Sequence, residues 1–179
     1  RGLRSACRPA IHMRAGENQY APMPGLPALQ QAVADHQRRF YGIDYDPAEE
    51  VTIHAGATEA LCATFLALLA PGDEAIVFEP FYDAYLPGIA LSQAKARIVP
   101  LAPPDFRLDP KALEAAVGPK TRLLVLNSPG NPSGRVFTRE ELGAIAAVCV
   151  KRDLLVVTDE VYEHIVFDGT HVPIATLPG

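Results

Sequence analysis

The sequence predicts an α/β fold in which helices cover both faces of a mainly parallel β-sheet. Apolar runs such as residues 154–157 lack an alternation of polar and apolar side chains, which is typical of strands buried on both faces of a parallel sheet. Strand and helix patterns also alternate along the chain with short connections, and right-handed crossovers join such units most simply. With 179 residues, of which 49% are apolar, the chain can bury one substantial core.

The N-terminal part of the chain contains more helix than strand. A short helix is predicted around residues 10–15, and a proline-rich extended loop follows at residues 18–25. The spacing of apolar side chains over residues 27–41 predicts an amphipathic helix. Residues 51–53 are predicted to begin a short strand that runs through a glycine turn into an apolar helix over residues 59–70.

The remaining elements alternate regularly between strand and helix. The predicted strands cover residues 74–79, 96–101, 121–126 and 154–159, and the predicted helices cover residues 83–91, 111–117 and 138–151. Asp109 before Pro110 is typical of a helix N-cap followed by proline in the first helical position. Thr138 with Glu141 predicts a capping box at the start of the last of these helices.

Charge and composition exclude several classes of protein. The net charge is −5 with both signs mixed along the chain, which argues against nucleic-acid binding, because a phosphate-binding surface needs clustered lysine and arginine. The longest apolar run, residues 60–70 apart from Thr64, is too short to cross a bilayer. Residues 1–9 are basic but lack an apolar core, so they do not resemble a secretory signal. We therefore predict a cytoplasmic protein that binds neither nucleic acid nor membrane.

The cysteines and histidines give no metal-binding pattern in the sequence. Cys7, Cys62 and Cys149 lie far apart without the spacing of a zinc site, so we predict structural thiols. The histidines are scattered too, and each is predicted to be a surface residue or a hydrogen-bonded core residue. They are His12, His36, His54, His164 and His171. No metal is predicted.

Asp159 is the first candidate functional residue, because a buried apolar run leads directly into it. It is predicted to lie at the carboxyl end of a strand, which is the edge where ligands bind in open α/β sheets. Burying a carboxylate there is costly unless a cation or a hydrogen-bond donor meets it, so we expect a positive group to face Asp159. The alternative is that Asp159 merely caps the segment that follows.

Two other predicted strand ends carry unusual residues. Gly56, Ala57 and Thr58 form a small turn with a hydroxyl at the start of a helix, where free N–H groups and the helix dipole favour a phosphate. Alternatively, Thr58 caps the helix and Gly56 only serves the turn. Asn131 offers an amide on a loop rich in glycine and proline, although loop asparagines often only close turns. We expect these strand ends to converge on one pocket with Asp159.

The combination of these residues predicts a cofactor. A phosphate-binding turn, an amide, a buried carboxylate and a phenol at Tyr162 suit an aromatic, phosphorylated molecule with a basic ring nitrogen, a description that fits pyridoxal 5′-phosphate. Asp159 would keep the ring nitrogen protonated, while Asn131 and Tyr162 would form hydrogen bonds with the phenolic oxygen of the ring.

Five motifs carry a resemblance to a known family. They are NQYAPMPG at residues 18–25, GATEA at 56–60, EPFYDAY at 79–85, NSPGNPSG at 127–134 and TDEVYE at 158–163. The motifs occur in the same order as in the class I/II aminotransferases of the fold-type I pyridoxal-phosphate enzymes, and the chain resembles that family. It is most similar to the branch that contains succinyldiaminopimelate, kynurenine and methionine aminotransferases. The resemblance implies an enzyme that transfers an amino group between an amino acid and a 2-oxo acid, most closely of the succinyldiaminopimelate type.

The resemblance also assigns roles by motif. It implies that Ala57 and Thr58 bind the cofactor phosphate, that Tyr82 stacks on the cofactor ring, and that Tyr20 reaches the phosphate of the neighbouring subunit in a homodimer. Asn131, Asp159 and Tyr162 match the ring-binding residues. Residues 1–25 would then be an N-terminal segment with the dimer-contact loop, and residues 26–179 an incomplete large cofactor domain.

The family's catalytic lysine has no counterpart in these 179 residues, so no catalytic residue is predicted and the chain alone is expected to be inactive. The lysines present are predicted to lie on the surface. They are Lys95, Lys111, Lys120 and Lys151. Two alternatives are a pyridoxal-phosphate C–S lyase, which would use the same motifs, and a non-catalytic truncated cofactor-domain fragment. A dinucleotide-binding site lacks G-x-G-x-x-G, and Ser133 does not stand in G-x-S-x-G as in a serine hydrolase.

Overall fold

A four-stranded parallel sheet forms the centre of the fold in a computed structural model, which describes residues 8–178. The strands are β1 (Glu74–Glu79), β2 (Lys95–Pro100), β3 (Thr121–Asn127) and β4 (Leu155–Asp159). They lie in the order β2-β1-β3-β4, and each neighbouring pair is parallel. The predicted α/β class is confirmed.

Helices connect the strands and precede the sheet. They are α1 (Arg8–Arg14), α2 (Pro27–Tyr41), α3 (Ala57–Leu68), α4 (Tyr85–Leu91), α5 (Pro110–Ala116) and α6 (Arg139–Arg152), followed by one turn of 3-10 helix at Ile174–Thr176. The bounds of α2 are those predicted from its apolar spacing. None of the helices in the described residues is both long enough and apolar enough to cross a membrane.

The strand predicted at residues 51–53 is wrong. Val51 is buried there, but a strand requires a neighbouring strand, and this segment lies beside a loop instead. Ile53 N donates a hydrogen bond to Pro24 O at 2.8 Å, and the carbonyl of Val51 accepts one from Gln30 Nε2 at 2.5 Å. These contacts hold the segment against the proline-rich loop and α2 rather than in a ladder.

The sheet buries a separate apolar cluster on each face. On one face, which we call the α5–α6 face, Leu113 and Leu142 pack over Ile76 and Leu124 with no exposed surface. The other face, the α3–α4 face, is covered by a second cluster, whose buried members are Leu61, Phe65, Leu69, Ala75, Val77, Tyr85, Ile89, Ala94, Leu123 and Val125. Helices therefore protect both faces, as parallel strands require.

Local capping and close packing fix the helices. Asp109 Oδ1 accepts a hydrogen bond from Lys111 N at 2.9 Å, and Thr138 forms a capping box with Glu141, so both predicted caps are confirmed. α4 packs closely against α3 at Gly88. A Cβ added at this position would come 2.8 Å from Phe65 Cδ2, which is too close. Glycine at position 88 therefore permits this helix–helix contact.

The described cysteines agree with the expected structural thiols. Cys149 is buried in the α5–α6 face, and burial raises the pKa of its thiol to about 11. Cys62 is a half-buried free thiol on α3. Cys7 lies outside the described residues.

Candidate functional site

The register of the sheet places Asn127 beside Asp159, each as the last residue of its strand. Asn127 Nδ2 donates hydrogen bonds to Asp159 O at 2.9 Å and to Pro129 O at 3.2 Å. Asn127 Oδ1 accepts a hydrogen bond from Asn131 N at 2.6 Å. A single amide thus fixes the loop after β3 to the carboxyl end of β4.

Asp159 is buried, with 8% of its surface exposed, and its closest side-chain partner is a phenol. Tyr85 OH donates a hydrogen bond to Asp159 Oδ2 at 2.7 Å, and Val161 N donates a longer one to Oδ1 at 3.4 Å. Burial, and then the hydrogen bond to Asp159, raise the pKa of Tyr85, so its hydroxyl remains a donor. The hydrogen bond by which Asp159 would cap the following segment, from Val161 N, is therefore the longer and weaker of the two.

The positive group expected to face Asp159 is not supplied by a side chain in the part of the chain that the structure describes. The ion pairs formed by residues 8–178 do not include this carboxylate. Tyr85, on the first turn of α4, supplies a neutral donor instead, which lowers the cost of burying a carboxylate but leaves its charge uncompensated. A buried carboxylate of this kind fits a positively charged ligand group.

The start of α3 is linked to Asp159 through two tyrosines. Thr58 Oγ1 lies 3.2 Å from Tyr82 OH, and the rings of Tyr82 and Tyr85 meet edge-on with their centroids 5.7 Å apart. α3 begins at Ala57 with Gly56 as its N-cap, at a φ of 98°, and no side chain caps it. The alternative that Thr58 is the cap is therefore wrong, and the first-turn N–H groups fit an anion.

Asn131 does not close the turn of its own loop, because Asn127 does so. Within the described residues the Asn131 side-chain amide donates no hydrogen bond, whereas its backbone N–H binds Asn127 Oδ1. Asn131 and Tyr162 line the same cleft of about 290 Å³, together with Ile165 and Phe167. This volume is close to the lower bound of small-molecule pockets, roughly 300 Å³.

The predicted single pocket is instead a set of neighbouring clefts joined by side-chain contacts. Thr58 lines a different cleft, with Cys62 and Gly88, from the one lined by Asn131. Tyr82 and Tyr85 lie between Thr58 and Asp159, since Thr58 contacts Tyr82, Tyr82 contacts Tyr85, and Tyr85 contacts Asp159. Asn127 and Asp159 do lie at one edge of the sheet, whereas Thr58 lies in the first turn of α3, which follows no strand within residues 8–178, and packed side chains separate it from Asp159.

Tyr20 lies apart from the other candidate residues. It is fully exposed, at 101% of its reference surface, in the segment before α2. Its predicted role requires a second subunit and stays a prediction. Tyr162 is partly exposed, at 37%, in the turn after β4.

Two residues that the sequence analysis missed organise the site, namely Tyr85 and Asn127. Tyr85 lies in the same EPFYDAY motif as Tyr82, three residues further on, at the first position of α4, and its ring packs edge-on against that of Tyr82. Asn127 is the polar residue that ends the buried strand β3, as Asp159 ends β4. The sequence pattern that could have identified Asn127 is therefore a polar residue at the end of a buried strand, the same pattern that identified Asp159.

The histidines are scattered in the sequence, but three of them come together with glutamates in the structure. His36 and His164 meet Glu163, and His171 lies against Glu160 in an adjoining group. Glu160, Glu163 and His164 lie in the segment directly after Asp159, and His36 and His171 contact it.

The family model described as "Aminotransferase class I and II" matches residues 3–177. The chain belongs to this family. Family members are pyridoxal-phosphate-dependent transferases, which agrees with the cofactor predicted from the site residues.

The aminotransferases most similar to the chain include two curated proteins and one solved structure. A probable N-succinyldiaminopimelate aminotransferase of Mycobacterium tuberculosis is 50% identical over 92% of this chain and 42% of that protein. The methionine aminotransferase of Escherichia coli is 44% identical over 89% of this chain and 42% of that protein. The solved N-succinyldiaminopimelate aminotransferase of Mycobacterium tuberculosis superposes with a TM-score of 0.90 at 48% identity, over 93% of this chain and 44% of that one. The chain thus spans less than half the length of these relatives.

Proposed function

We propose that this chain is the cofactor-binding part of an aminotransferase that moves an amino group between an amino acid and a 2-oxo acid. Family membership over residues 3–177 supports the proposal. The observation that carries it is the buried carboxylate of Asp159, which has a neutral partner in Tyr85 and forms no ion pair within the described residues. A carboxylate so placed stabilises a protonated ring nitrogen.

The ring-binding residues follow from the strand ends. When bound, pyridoxal phosphate supplies an electron-withdrawing ring that stabilises negative charge on the substrate carbon. In our proposal Asp159 keeps the ring nitrogen protonated, Asn131 and Tyr162 form hydrogen bonds with the phenolic oxygen, and Tyr82 stacks on the ring. The unused side-chain amide of Asn131, in the cleft that Tyr162 also lines, supports its role as a donor.

The phosphate would be held by Ala57 and Thr58 at the start of α3. Their position in the first helical turn, after an N-cap that has no side-chain hydrogen bond, leaves N–H groups free to meet an anion. Tyr20 of the partner subunit would complete this site in a homodimer, and its full exposure leaves it available for such a contact. The neighbouring apolar side chains of Ile11, Met13 and Met23 are exposed too.

We also propose that the substrate of the complete protein is N-succinyldiaminopimelate. The 50% identity to a probable aminotransferase for that compound supports it, while the 44% identity to a methionine aminotransferase makes methionine the natural comparison. The test is to assay the full-length protein with both amino donors. A higher kcat/KM for methionine would contradict the proposal. Release of free ammonia and thiol together with the 2-oxo acid, without transfer of the amino group to an acceptor, would indicate the alternative C–S lyase.

We propose that the 179-residue chain does not catalyse transamination alone. Its four lysines, Lys95, Lys111, Lys120 and Lys151, are all exposed, which supports the expectation that none serves as the catalytic lysine. The purified chain, mixed with pyridoxal phosphate and an amino donor, should form no keto acid above the rate of the free cofactor. Robust turnover would contradict this, and inactivity with retained cofactor binding would match a non-catalytic fragment.

Cofactor binding itself tests the role of Asp159. We expect titration calorimetry to detect pyridoxal phosphate binding to the purified chain, and Asp159→Asn to weaken the binding at least about tenfold, because an amide cannot compensate the ring charge. Asp105→Asn is the matched control, since the Asp105 side chain is 64% exposed and its only ion pair within residues 8–178 is with Arg107 at 3.5 Å. Equal affinity of both variants for the cofactor would overturn the assignment.

A further inference from the structure

A histidine on α2 meets a glutamate and a histidine that are consecutive in the segment after β4. His36 Nε2, on α2, lies 2.8 Å from His164 Nε2, in the segment after β4. Glu163 Oε1 lies 3.4 Å from the former and 3.7 Å from the latter. The ligand atoms of all three side chains lie within 4.8 Å of one another. We call these residues the His36 cluster.

The carboxylates here are short of positive charge. Glu160 and Glu163 have side chains that are only 20% and 18% exposed, and in the described part of the chain their ionic partners are histidines, which are charged only if protonated. Glu163 Oε2 is buried without a hydrogen-bond partner in residues 8–178. A bound cation would balance the charge.

The two imidazoles approach each other through their Nε2 atoms. At 2.8 Å, one Nε2 must carry a proton and the other must accept it, because two lone pairs repel at this distance. The Phe40 ring contacts both imidazoles, with centroids 4.7 Å from His36 and 4.8 Å from His164, so packing holds both rings in place. The arrangement presents two nitrogen donors to one point in space.

We propose that His36, Glu163 and His164 form a site for a transition-metal ion, of which Zn²⁺ is the best fit. Two imidazoles and a carboxylate are a common zinc donor set, and three protein ligands leave one position open to water. Bonds of about 2.0–2.1 Å in a tetrahedral site separate the two nitrogens by roughly 3.3 Å. His164, whose side chain is 52% exposed, has the room to make that small shift when the metal replaces the shared proton.

An adjoining group of Glu160, Glu163 and His171 is the nearest competitor for the ion. Its histidine is hardly accessible, since the His171 side chain is only 4% exposed, with Nε2 3.0 Å from Glu160 Oε2. The His36 cluster is open to solvent through His164 and through His36, which is 28% exposed. Access therefore favours the His36 cluster.

The test is a calorimetric titration of the purified, tag-free and metal-free chain with ZnCl₂. We expect one ion per chain, and we expect His36→Ala and His164→Ala each to weaken binding at least about tenfold, because each removes a direct ligand. His12→Ala is the matched control, since His12 is an exposed histidine paired with Glu17, and should leave the affinity within about twofold. Co²⁺ should give the visible absorption of a tetrahedral site in the wild type and lose it in His164→Ala.

Circular dichroism of each variant shows whether it is folded. His164→Ala decides the question if His36→Ala does not fold, because the exposed His164 makes fewer core contacts. Absence of stoichiometric binding, or an equal loss of affinity in His12→Ala, would overturn the proposal. A loss of affinity in His171→Ala together with unchanged binding by His164→Ala would overturn it as well, by placing the ion in the adjoining group.

Discussion

The two faces of the sheet are buried equally well but contribute differently to the candidate site. Leu142 on the α5–α6 face and Phe65 on the α3–α4 face are both fully buried. Among the core residues that the structure describes, only Tyr85 of the α3–α4 cluster forms a hydrogen bond with the Asp159 carboxylate. A substitution on the α5–α6 face should therefore change stability alone, whereas one on the α3–α4 face should change stability and site geometry together.

The largest effect is expected for Phe65→Ala. Removing this ring should lower the free energy of unfolding by about 3–5 kcal/mol, since truncating a buried aromatic leaves a cavity. Phe65 also lies against Gly88 of α4, so Tyr85 on that helix should move, and the tyrosine signal in near-UV circular dichroism should fall. Leu142→Ala is the control on the other face, with about 2–5 kcal/mol lost and the tyrosine signal unchanged. A similar spectral change in both variants would contradict the separation of the faces.

The next effect is expected for Tyr85→Phe. This substitution should lower the free energy of unfolding, measured in urea, by about 1.5–3 kcal/mol, because it removes a hydrogen bond to a buried carboxylate and changes the packing little. The comparison variant is Tyr82→Phe, whose hydroxyl contacts the exposed Thr58, and about 1 kcal/mol or less should be lost there. Equal losses would show that the α3–α4 face does not depend on the contact with Asp159.

A pH-dependent effect is expected on the α5–α6 face from Cys149. Burial raises the pKa of its thiol from 9.0 to about 11, so the folded chain keeps a proton that the unfolded chain loses. The resulting stability is fully present below pH 9 and is lost as the pH rises through about 11. Relative to Cys149→Ala, the wild type should lose about 2 kcal/mol over this interval, as measured by urea unfolding at several pH values. Parallel pH profiles of the two proteins would contradict the expectation.

The smallest effect is expected for Thr138→Ala at the start of α6. Loss of the capping box should lower stability by about 1 kcal/mol, because it leaves helix N–H groups without an acceptor. Pyridoxal phosphate binding by the chain should not change, since α6 lies on the face away from Tyr85. A weaker affinity for the cofactor would show that the α5–α6 face also shapes the site.

The order of elements could be predicted from the sequence because it depends on local patterns. Apolar periodicity gave the bounds of α2, and a hydroxyl and a carboxylate three residues apart gave the capping box of α6. Position at a strand end was likewise enough to select Asp159. The strand predicted at residues 51–53 failed because a strand depends on a partner, which a local pattern does not contain.

Family membership, the α/β class and the candidate ligand-binding edge of the sheet were determined by the sequence alone. Tertiary structure decided the strand order β2-β1-β3-β4, the neutral phenol that meets Asp159 from 74 residues away, and the meeting of His36 with His164 across 128 residues. The physical reason is that these contacts arise from the packing of whole elements against one another, and no periodicity or motif records which distant side chains that packing brings together.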